Sequence, residues 1–94
     1  MVMLELDIEK AFVARVKALG GMAEKFTSPS KRSVPDRVAT LPGGRVIFVE
    51  LKRPGVGVTE LQQRDHAIRR ALGCDVRVIN SLEQIAAFPD GEIL

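Results

Sequence analysis

The chain has 94 residues, 46% of them hydrophobic, and a formal net charge of +2, which is material for one domain with a small core, 1–94. Its single cysteine, Cys74, excludes an intramolecular disulfide and a cysteine-cluster zinc site. The lack of Trp and Tyr removes the usual stacking platform for single-stranded bases, so the four Phe are expected in the core.

Leu4 to Leu19 has apolar residues at three-four spacing, which predicts a first helix closed by Gly20-Gly21. Glu5 and Glu9 stand four apart and share one face of it. Met22 to Thr27 alternates weakly and is read as a strand. Ser28 to Ser33 is a polar, basic loop in which Lys31 and Arg32 are candidate phosphate contacts. Pro35 biases Val34 toward extended backbone, as entry into a strand requires.

Arg37–Leu41 and Arg45–Leu51 are apolar runs flanking Pro42-Gly43-Gly44, the pattern of a β-hairpin. In such a pair the outer ends lie side by side, which brings Asp36 to Glu50. Glu50 and Lys52 share a face, whereas Leu51 points to the other, toward a core. Two carboxylates and an ammonium therefore converge. Hard divalent cations such as Mg²⁺ take one or two carboxylates together with water and phosphate oxygens, and a lysine beside them can orient a water or stabilise developing charge.

Arg53 to Val58 is a loop. Thr59, with Gln62 three residues on, forms a capping box for a helix from Glu60 to Leu72, ended by Gly73. Leu61, Ala67 or Ile68, Ala71 and Leu72 are expected to face inward, and Arg64, Arg69 and Arg70 outward. His66, alone on an Arg-rich helix, is read as a surface or packed ring rather than a catalyst. Asp75–Ile79 alternates as a strand, Asn80-Ser81 caps a short helix Leu82–Ala87, and Glu92-Ile93-Leu94 is a tail. Between Lys31 and Arg77 ten Lys/Arg stand against five Asp/Glu, a local charge of +5, while the flanks sum to −3. That distribution suits a polyanionic partner, with Arg53 and Arg64 as further candidate contacts. The absence of a long apolar span and of a signal peptide leads to the expectation of a cytoplasmic protein without a membrane partner.

The order α-β-β-β-α-β, then a short α, together with Pro35-Asp36 and Glu50-Leu51-Lys52, resembles the restriction-endonuclease-like α/β fold: an αβββαβ core with a small mixed sheet flanked by helices. The acidic first helix ending in Gly20-Gly21, Val34-Pro35-Asp36, the Gly turn, Thr59-x-x-Gln62, Gly73 and Ser81 resemble the VRR-type nuclease domains of the PD-(D/E)XK superfamily, in the form found in phages and bacteria. The resemblance implies that Asp36, Glu50 and the Leu51 carbonyl hold Mg²⁺ or Mn²⁺, that Lys52 positions the attacking water or stabilises developing charge, and that Gln62 lies near the metal. It also implies a first-helix acid, either Glu5 or Glu9, with Glu5 preferred. The implied activity is metal-dependent hydrolysis of DNA, selective for branched substrates such as a four-way junction, without an organic cofactor, in a bacterial cell or phage-infected host. Similarity to small resolvases implies a homodimer. Ile79, Ile85, Phe88 and Ile93 exceed what so short a helix and strand need inside, which makes them candidates for a shared face or for an ordinary core. The alternative is a non-catalytic nucleic-acid-binding or assembly module on the same fold.

Overall fold

A computed structural model describes residues 2–91. The expected tail at 92–94, with Ile93 as a shared-face residue, lies outside the described residues. The elements follow the expected order: α1 (Glu5–Ala18), β1 (Met22–Lys25), β2 (Arg37–Leu41), β3 (Arg45–Leu51), α2 (Glu60–Ala71), β4 (Asp75–Ile79) and α3 (Leu82–Ala87). One sheet runs β1-β2-β3-β4, antiparallel across the first two pairings and parallel across the last. Parallel neighbours cannot be joined by a tight turn, and α2 supplies the crossover from β3 to β4. The result is the mixed α/β sheet flanked by helices that the sequence predicts. No helix among the described residues is long and apolar enough to cross a membrane.

Local chemistry explains the element ends. Asp7 accepts a hydrogen bond from the Leu4 amide at 2.8 Å, which satisfies one orphan donor of α1. Thr59 and Gln62 form the reciprocal capping box of α2, at 2.9 and 3.2 Å. At the β2–β3 turn Gly43 and Gly44 both hold positive φ, +87° and +80°, where side chains are disfavoured. Gly21 is needed for a different reason. A Cβ there would stand 2.4 Å from the Thr40 carbonyl oxygen and 3.0 Å from Leu41 Cδ2, because the chain leaving α1 presses against β2. Gly21→Ala is therefore expected to destabilise the fold by about 2 kcal/mol or more, lowering Tm by roughly 10 °C in a domain of this size. Thermal unfolding followed by circular dichroism checks this.

Strand alternation divides the sheet's two faces. Ala39 and Leu41 of β2, Ile47, Val49 and Leu51 of β3 and Ile79 of β4 meet Ile8, Phe12 and Val16 of α1 and Ile85 and Phe88 near α3. Phe12 and Phe88 pack edge to face at 5.1 Å, and Arg15 donates to the Phe88 carbonyl at 2.9 and 3.1 Å. This packing decides between shared face and core for three residues. Ile79, Ile85 and Phe88 are buried here and present no face to a second copy, because α3 folds back against α1.

The opposite face of the sheet lies under α2, and the helix is turned contrary to expectation. Its buried residues are Asp65 and His66, whereas Leu61, Ile68 and Leu72 are exposed at 64%, 53% and 80%. Arg69 is not on the outer face: its guanidinium lies 5.1 Å from both the Phe26 and the Phe48 ring centroids and bonds Asp65 at 2.7 Å. Arg70 donates to the Val76 carbonyl at 2.8 Å. Phe26 and Phe48 thus form a cation–π clamp around an arginine instead of joining the apolar core.

Candidate active site

Arg37 stands opposite Val49 in the hairpin, and continuing that register by one residue sets Asp36 opposite Glu50. Two backbone bonds fix Asp36. Its carbonyl accepts from the Phe26 amide at 2.9 Å, and its carboxylate Oδ2 accepts from the Leu51 amide at 2.9 Å. Glu50 points to the α2 side of the sheet and is 1% exposed. Burial pushes its carboxyl up to about 9. The hydrogen bond and charge of Asp36 add to this, Lys52 opposes it, and Glu5 reinforces it. Lys52, two residues on, shares that face. Its amide extends the ladder to the Ile79 carbonyl at 3.0 Å, and among the described residues its ammonium has no ion-pair partner.

The two first-helix acids separate. Glu5 lies near enough to Glu50 to raise its pKa. Glu9 is bound to Arg37 Nη2 at 2.9 Å, on the core side of β2, and Arg37 also donates to the Ala23 carbonyl at 3.0 Å. Alternation explains this: Asp36 and Arg37 are adjacent and so point to opposite faces. The amide oxygen of Gln62 accepts from the Thr59 amide at 2.9 Å, which ties it into the capping box of α2. Among the basic candidates, Lys31 reaches Asp65 at 3.5 Å and Arg64 pairs with Glu60 at 3.0 Å. Arg32 and Arg53 are exposed and, among the described residues, carry no ion pair.

α2 adds two groups that sequence reasoning missed. His66 Nε2 lies 3.3 Å from Glu50 Oε1, with both side chains 1% exposed. Burial, with the Arg70 charge second, holds the imidazole below its usual pKa and therefore neutral at pH 7. Asp65, also buried, joins Arg69 to Lys31 of the basic loop. One signal for His66 was present in the sequence. It follows Gln62 by four residues and so lies on the same helix face as the residue already assigned to the site.

No family model matches the chain. A curated phage protein, "Putative nuclease p44" of Acyrthosiphon pisum secondary endosymbiont phage 1, is 47% identical over 85 residues, which cover 90% of this chain and 91% of that one. A solved structure of a VRR_NUC domain superposes with a TM-score of 0.82 at 31% identity, covering 87% of this chain and 89% of the other. The chain belongs to the VRR-NUC nuclease family. Its carboxylate pair is the part of this VRR-NUC domain whose chemistry suits a cation. A buried carboxyl that keeps its proton up to about pH 9 beside a second carboxylate is short of positive charge, and a divalent ion meets that need in place of the proton. Among the described residues no group of three or more His, Cys, Asp or Glu gathers into a metal cluster. Two carboxylates fit Mg²⁺ or Mn²⁺ nonetheless, because such ions keep several waters.

The separated acids make a direct test for this VRR-NUC domain. Glu5→Gln is expected to slow cleavage, whereas Glu9→Gln keeps near-wild-type cleavage but destabilises the fold by about 1 kcal/mol, because a half-buried Arg37 loses a charged partner. Cleavage rates and thermal midpoints of both variants decide it. A Glu9→Gln enzyme that folds normally yet cleaves poorly would return the role to Glu9.

Proposed function

We propose that this VRR-NUC domain is a Mg²⁺- or Mn²⁺-dependent DNA endonuclease, selective for branched substrates such as four-way junctions and working as a homodimer in the cytoplasm of a bacterium or phage-infected host. The observation that carries the reading is the Asp36–Glu50 pair brought together across the hairpin, with Lys52 on the same face as Glu50. Asp36, Glu50 and the Leu51 carbonyl would hold the cation. Bound there, it lowers the pKa of a water and polarises a phosphoryl oxygen. The Lys52 ammonium orients the attacking water or offsets negative charge developing on the phosphate. Glu5 adds a third negative charge near the pair. Arg32 and Arg53, unpaired among the described residues, can take phosphates, and Lys31 and Arg64 can do so by exchanging Asp65 and Glu60 for a phosphate.

One chain builds one carboxylate pair, and a paired cut across a junction needs two such centres related by a two-fold axis. The test is cleavage of flap, splayed-arm, nicked and four-way DNA with and without Mn²⁺, alongside the mass from light scattering. Paired nicks in the four-way substrate by a dimer are expected. Failure to cleave any of these substrates with metal present overturns the enzyme. A monomer both alone and with junction DNA overturns the paired cut and leaves a nicking nuclease.

A further inference from the structure

The orientation of α2 calls for an explanation. Leu61, Ile68 and Leu72 could have covered the sheet, yet the helix buries Asp65 and His66 in their place. Burying polar side chains carries a cost unless each finds a partner, so a polar inward face is kept only where the partners are specific. Asp65 has Arg69 and Lys31. His66 has Glu50: its Nε2 stands 3.3 Å from Glu50 Oε1, with both side chains 1% exposed.

From this geometry we propose that His66 is a positioning residue that fixes the Glu50 carboxylate for cation binding. The inference rests on the reading of Asp36 and Glu50 as the metal site. The last torsion of a glutamate side chain is broad, so an isolated Glu50 could present either oxygen in many orientations. An N–H donor on Oε1 removes that freedom and leaves Oε2 for the cation. A metal-ligating carboxylate is ionised and can only accept hydrogen bonds, so Nε2 carries the proton. The imidazole is itself held in place, because α2 is tied down on both sides of it. Arg70 bonds the Val76 carbonyl, and Arg69 is clamped between Phe26 and Phe48 while bonded to Asp65. Hydrogen-bonding partners behind metal ligands commonly control affinity in this way.

The test measures Mn²⁺ binding by calorimetry for the wild type, His66→Leu, His66→Gln and Glu50→Gln, with thermal unfolding of each. His66→Leu is expected to bind Mn²⁺ about 10- to 100-fold more weakly. His66→Gln, which keeps an N–H donor, recovers most of that loss. The KM for DNA stays at the wild-type value, because His66 does not reach the substrate, and excess Mn²⁺ restores kcat. A folded His66→Leu variant with wild-type Mn²⁺ affinity overturns the proposal and makes His66 a packing residue. A wild type that binds no Mn²⁺ overturns the metal site itself, a result distinct from failure of His66 alone. A measurement on the unaltered protein guards against a variant that does not fold. Nitrogen NMR of the ¹⁵N-labelled imidazole with Mg²⁺ present is expected to show a proton on Nε2. A ring protonated only on Nδ1 overturns the proposal.

Discussion

Asp36→Asn and Glu50→Gln are each expected to abolish cleavage, by about a thousandfold or more, while leaving the fold intact. Each removes half the charge that would hold the cation, and catalysis of this type depends on that cation. The two variants differ in a second property. The Glu50 carboxyl is raised from 4.5 to about 9 in the folded chain. The unfolded chain therefore releases this proton above pH 4.5 while the folded chain keeps it. With fewer protons on the unfolded state, metal-free stability falls as pH rises from 4.5 to about 9, at a limiting slope of about 1.4 kcal/mol per pH unit for one such proton. Glu50→Gln removes that group and flattens the slope, so the inactive variant unfolds at a higher temperature than the metal-free wild type at pH 8. Saturating Mn²⁺ should flatten the wild-type slope as well. Thermal unfolding at pH 5, 6.5 and 8, with and without Mn²⁺, checks this. Near-wild-type cleavage with unchanged metal dependence in either variant would remove the site from these residues.

Lys52→Ala is expected to lower turnover by about two orders of magnitude or more, the usual cost of losing an electrostatic contact made to charge that develops in the transition state. DNA affinity should change little, because one cation among several is a small share of phosphate binding. The backbone at Lys52 is held by its bond to the Ile79 carbonyl, so truncating the side chain leaves the end of β3 in place. Single-turnover cleavage at saturating DNA separates the two roles. A variant that binds much more weakly yet cleaves normally at saturation assigns Lys52 to binding.

Much of this domain is legible locally. The Gly43-Gly44 turn, the Thr59–Gln62 box and the alternation along β2, β3 and β4 act within a few residues, so a short window of sequence determined the elements and their order. The hairpin also determined the register that sets Asp36 against Glu50, because a turn of given length between two strands fixes who faces whom. The extent of β1 was less legible: Phe26 leaves the strand to bond Asp36 and to stack on Arg69, partners ten and 43 residues away.

Only the tertiary structure decided which side of each helix meets the sheet. α2 offers an apolar stripe through Leu61, Ile68 and Leu72 and a polar one through Asp65, His66 and Arg69, and hydrophobic patterning favours the first. The second won because the sheet beneath it presents Phe48 and Glu50, with Phe26 and Lys31 at its edge, and these satisfy the polar stripe through a cation–π clamp, ion pairs and one buried hydrogen bond. The choice between Glu5 and Glu9 was open for the same reason. Both share a helix face, and only the packing of α1 on the sheet gives Glu9 to Arg37 while the charge of Glu5 acts on Glu50. Partners distant in sequence leave no periodic trace, so the helix face of His66 is legible but its bond to Glu50 emerges only when strand and helix are seen together.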